Sequence, residues 1–120
     1  MLLAFLFSLI LSNQNPSVLT VPVEVPTLRD IAIDSAEKYK LPKARTELML
    51  KVIGCESHWD THAVSRTGDY GISQIHLAAW GITKEQAFDP AFSLDFMAHQ
   101  FSLGHEHYWT CARLVSDTAP

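Results

Sequence analysis

Apolar residues at helical spacing occupy most of the chain from Thr27 to Gly104, and the clearest break falls between Thr67 and Ser73, where Gly68 and Gly71 stand. That pattern predicts a mainly α fold: a small helical domain with a minimal β-hairpin around residues 67–73. Thr27 suits the N-cap of a first helix that aligns Leu28, Ile31, Ser35 and Tyr39 on one face and closes at Leu41 and Pro42. A second helix starts around Pro42 and runs to Glu56, with Leu48, Met49, Val52 and Ile53 as its apolar side. Farther along, a short helix begins near Ile75 and ends at Trp80-Gly81, and Thr83 to Gln86 reads as a capping box. Asp89-Pro90 then opens a helix that carries Leu94, Met97, Ala98 and Phe101 and stops at Gly104.

The N-terminal end has a different character. Ten of the residues Met1 to Leu11 are apolar, and no charge precedes Glu24. Residues 1–11 are too few to span a bilayer comfortably, since that takes about 20, and they read as a signal-like segment or a short uncleaved anchor. Either reading implies export or attachment outside the cytoplasmic membrane, the anchor acting through residues 2–11. A basic leader and an A-x-A cleavage site are both missing. Pro16, Pro22 and Pro26 mark residues 12–26 as an extended linker, which leaves residues 27–120 as one domain.

Composition removes several function classes. Nine basic against thirteen acidic residues give a net charge of −4, and the basic ones are dispersed between Arg29 and Arg113, so no stripe suited to nucleic-acid phosphates exists. Cys55 and Cys111 allow at most one bridge and lack zinc-site spacing. They form either one disulfide across a long loop or a pair of free thiols. His58-x3-His62 lacks the intervening Glu of the helical zinc-hydrolase motif, and His105-x-His107 has only Glu106 beside it. No metal or organic cofactor is implied.

Glu56 carries the main chemical signal. It lies seven, four and three residues after Met49, Val52 and Ile53, which places a carboxylate on the buried side of its helix. Desolvation raises the pKa of such a group, and a carboxylic acid held protonated near neutral pH suits general-acid catalysis. Two bland alternatives stand beside this one: Glu56 turns to solvent at the helix end, or it pairs with Arg45 or Lys51.

The residues that follow, Glu56-Ser57 through Ala63-Val64-Ser65 to Gly68-Asp69-Tyr70-Gly71-Ile72-Ser73-Gln74-Ile75, resemble the soluble lytic transglycosylase domain of the lysozyme-like superfamily in order and spacing. The string from Asp69 to Ile75 is also similar to the strand that carries the second catalytic carboxylate of animal-type lysozymes. The resemblance implies a lysozyme-like fold, peptidoglycan glycan strands as the partner, and Glu56 acting first as acid and then as base. The product would be a 1,6-anhydromuramoyl end. With Asp69 as a second carboxylate, the alternative is a hydrolytic muramidase; a third possibility is an inactive glycan-binding or virion/secretion assembly module. Asp69 also has an ordinary role open to it, bonding backbone N–H groups in the hairpin.

By the same resemblance Ser57 and Gln74 line the cleft, with Ser73 as a further hydrogen-bonding group. Tyr70, Trp80, Tyr108 and Trp109 are candidates to stack on pyranose rings, with burial in the core as the alternative for each. Gln74 has the further alternative of capping the helix near Ile75. Two positions depart from the family pattern: Ser93 stands where the family places Asn, and the Ala-Tyr-Asn motif is replaced by the region around His107-Tyr108-Trp109.

Overall fold

The computed structural model describes residues 22–116. The apolar segment 1–11 and residues 12–21 of the linker lie outside the described residues, as do residues 117–120. Residues 22–26 are exposed and carry neither helix nor strand.

The first helix, α1 (Leu28–Lys38), opens on a capping box: Thr27 Oγ1 accepts from the Asp30 N–H, and Asp30 accepts from the Thr27 N–H. It ends at Lys38, short of Leu41. Its buried residues are Ala32, Ser35 and Ala36, while Leu28, Ile31 and Tyr39 pack only at the margin of the core. The face is rotated from the expected one because two alanines one turn apart let α1 approach α5 (Pro90–Ser102) closely. Bulkier side chains straddle that contact. Tyr39 stacks on His99 at 4.8 Å and donates to Asp95 at 2.7 Å, and Lys38 meets the other Asp95 oxygen at 2.6 Å.

Helix α2 (Lys43–Ser57) has Pro42 as its N-cap residue and buries Met49, Leu50, Val52, Ile53 and Ser57. It stops without a glycine: His58 and Trp59 both take left-handed backbone conformations, φ 53° and 64°, and the His58 N–H donates to Gly54 O. α5 supplies the opposite wall of the core with Leu94, Met97, Ala98 and Phe101, starting from an Asp89 N-cap with Pro90 in its first turn. Each large side chain so buried contributes roughly 1.5–3 kcal/mol.

Between these helices lies a two-stranded antiparallel hairpin, β1 (Asp69–Tyr70) and β2 (Ile75–His76), with Asp69 opposite His76 and Tyr70 opposite Ile75. It extends beyond the predicted 67–73 span. Ile75 is strand, and the short helix α3 (Leu77–Trp80) begins two residues later than expected, ending at Gly81. Gly71 sets the turn. Its φ is +82°, and a Cβ there would lie 1.9 Å from the carbonyl oxygen of Ala87 in α4 (Lys84–Phe88), so the close backbone neighbour of this glycine is α4. The Thr83 capping box opens α4 with Gln86 as its reciprocal partner. A 3-10 turn (Glu106–Tyr108) and α6 (Thr110–Ser116) complete a mainly α domain with a small β element, α6 packing on α2.

Candidate active site

Glu56 occupies the last turn of α2 and is half-buried. Burial pushes its carboxyl group above the usual glutamate range; the Cys111 N–H, donating to Oε1 at 3.2 Å, opposes this, and the charge of Asp69 adds to the rise. Neither cation considered as its partner is there. Arg45 is held by Glu106 at 3.1 and 2.8 Å and donates to Phe101 O at 2.6 Å, while Lys51 borders a separate groove with Arg29 and Trp59. The Cys111 N–H is brought to Glu56 by the Cys55–Cys111 disulfide, whose Cα atoms are 5.9 Å apart and which ties the start of α6 to the residue preceding Glu56.

Glu56 and Asp69 open onto one small cleft of about 90 Å³, shared with Gln74, His76, Trp80 and Tyr108. Asp69 reaches it from β1 and is surrounded by donors. Its Oδ2 accepts from the hydroxyls of Ser65 (3.1 Å) and Thr67 (2.9 Å), and its Oδ1 lies 3.1 Å from His76 Nδ1. Side-chain hydroxyls and an imidazole therefore hold this carboxylate, rather than the backbone N–H groups expected of a hairpin aspartate.

Gln74 also faces the cleft, with left-handed backbone (φ 50°). Its amide group donates to Gly71 O (2.9 Å) and Ala63 O (3.2 Å), so it fastens the turn instead of capping a helix, and its carbonyl oxygen is the group it can offer a ligand. Trp80 and Tyr108 form an aromatic wall, edge to face at 5.3 Å, with Tyr108 about half exposed.

The structure does not bring Ser57, Ser73 or Tyr70 to this cleft. Ser57 is buried, and its hydroxyl donates to Ile72 O at 2.7 Å, linking α2 to the hairpin turn. Ser73 is fully buried: its N–H donates to Ser93 Oγ and its hydroxyl to Ser93 O, so the departure at Ser93 coincides with a contact to the turn. Tyr70 follows Asp69 on one strand, where successive side chains point to opposite faces; its ring packs against Phe88 at 5.8 Å. Trp109 does border the cleft, but it is almost wholly buried. Its indole N–H donates to Ser73 O at 2.7 Å, so it anchors the turn to the 3-10 region and presents little stacking surface. Sequence reasoning missed His76. Its signal was the cross-strand register with Asp69, legible only once the turn is placed at residues 71–74.

This combination of an acid at the end of a helix, a glycine-set hairpin across the cleft and an aromatic wall occurs within residues 31–108, the span matched by the family model of the transglycosylase SLT domain. The chain belongs to that family. No curated protein and no solved structure matches it. SLT domains are lytic-transglycosylase-like glycosidases that act on peptidoglycan, a polymer found outside the cytoplasmic membrane. Among the described residues no helix is long and apolar enough to cross a membrane.

Proposed function

We propose that the chain is a lytic transglycosylase that cleaves the β-1,4 bond between N-acetylmuramic acid and N-acetylglucosamine in peptidoglycan, with Glu56 as its acid and base. The observation that carries this reading is the environment of Glu56: desolvated, accepting a single backbone N–H, and open to a cleft. Such a group keeps its proton at higher pH than a free glutamate and can deliver it to a poor alkoxide leaving group.

In the reaction, the Glu56 proton passes to the glycosidic oxygen and the bond from that oxygen to the muramoyl C1 breaks. Positive charge develops at C1 and the ring oxygen, and Asp69 supplies a negative charge in the same cleft. The Glu56 carboxylate then removes the proton of the muramoyl C6 hydroxyl, whose oxygen closes on C1. A 1,6-anhydro sugar leaves, Glu56 is protonated again, and no water is consumed.

Asp69 favours a second reading, hydrolysis, in which a water or the second carboxylate attacks C1. Mass spectrometry of the digested wall separates the two, because anhydro ends and reducing ends differ by one water. Glu56→Gln is expected to retain the fold and lose activity by about a thousandfold; a variant that still clears embedded cell walls in a zymogram removes Glu56 from the mechanism. Glycan binding by the unaltered chain without any clearing supports instead the inactive binding or assembly module. Asp69→Asn is expected to cost about tenfold in a transglycosylase and far more in a hydrolase.

A further inference from the structure

We propose that His76 is a positioning residue: it aims the Asp69 carboxylate at the reacting sugar, and its importance rests on the acid/base reading of Glu56 given above. Three donors surround Asp69, but they differ in kind. Ser65 and Thr67 both bind Oδ2 from the loop before β1, on the same oxygen. His76 alone among the described residues hydrogen-bonds Oδ1, at 3.1 Å, and it does so from the opposite strand in direct register. A carboxylate held through one oxygen can swing about its terminal torsion, which is a broad and soft one. Held through both oxygens, it has one orientation.

His76 makes that contact through Nδ1. An ionised carboxylate only accepts hydrogen bonds, so toward an ionised Asp69 the ring donates from Nδ1 and Nε2 is left for another partner. Nε2 has no protein partner among the described residues, and the His76 side chain is 51% exposed at the cleft. The ring thus hydrogen-bonds Asp69 on one side and lies open to the sugar groove on the other.

The test uses the full chain acting on purified peptidoglycan. Asn at position 76 can donate to Oδ1, whereas Asp is nearly the same size and cannot. His76→Asn is expected to keep kcat within about twofold of the unaltered chain, and His76→Asp to lower it by about five- to tenfold, no more than the loss of the Asp69 carboxylate itself, with KM within about twofold in both. In an Asp69→Asn background the difference between the two substitutions should shrink to less than about twofold, because the group they position is no longer a carboxylate. Equal rates for the two variants, or an Asn-to-Asp gap that persists without Asp69, would overturn the proposal. Failure of the underlying reading looks different: Glu56→Gln would then remain active whatever stands at position 76.

Discussion

The end of α2 and the β-hairpin each hold one carboxyl group over the same cleft, and they treat it in opposite ways. Glu56 is half-buried with one N–H donor at 3.2 Å; Asp69 has two hydroxyls and an imidazole within 3.1 Å. Burial raises the pKa of the Glu56 carboxyl group, whereas Asp69 is fixed in place by its three hydrogen-bonding side chains. The same functional group is thus desolvated on one side of the cleft and held by side-chain donors on the other, and in the proposed reaction the desolvated one is the proton donor.

The contrast can be broken most severely on the hairpin side. Gly71→Ala would place a methyl group against Ala87 O and force a left-handed backbone on a residue with a Cβ, so a loss of about 3 kcal/mol or more is expected in urea denaturation. Glu56→Gln should do the reverse at neutral pH. Because the folded-state pKa of Glu56 is raised, ionising it costs stability as pH climbs from the ordinary glutamate range through the raised value. The Gln variant should therefore melt at the same temperature as the unaltered chain or higher, and a lower melting point would contradict the account of its burial.

Opening the disulfide weakens the other side. Replacing Cys55 and Cys111 together by Ser releases a loop of sequence separation 56 and should cost about 2–4 kcal/mol. It also slackens the Cys111 N–H, the one interaction that lowers the Glu56 pKa, so the alkaline limb of the kcat profile should move to higher pH. A limb that stays in place while stability falls would mean that this N–H does not tune the acid. The smallest effect is expected from Thr67→Val, which removes one of the hydroxyls on Asp69 and should cost about 0.5–1.5 kcal/mol in thermal denaturation.

Local chemistry made much of the scaffold legible. Thr27, Thr83 and Asp89-Pro90 open their helices as their side chains dictate, and the spacing of Met49, Val52 and Ile53 placed Glu56 on the inner side of α2. What escaped was decided by contacts distant in sequence. The rotation of α1 onto Ala32 and Ala36 depends on how closely α5 approaches, and the inward turn of Ser57 and Ser73 depends on carbonyls of Ile72 and Ser93 that no local rule pairs with them. The hairpin register hid His76 for the same reason. A shift of a few residues in the turn changes every cross-strand partner.

At Gly71 the hairpin turn meets the end of α4 backbone to backbone, with no side chain between them to act as a bearing. A joint of that kind cannot hinge without losing its contact. Trp109, whose indole N–H donates to Ser73 O, fastens the 3-10 turn to that same hairpin turn, so both walls of the cleft hang from one fixed point.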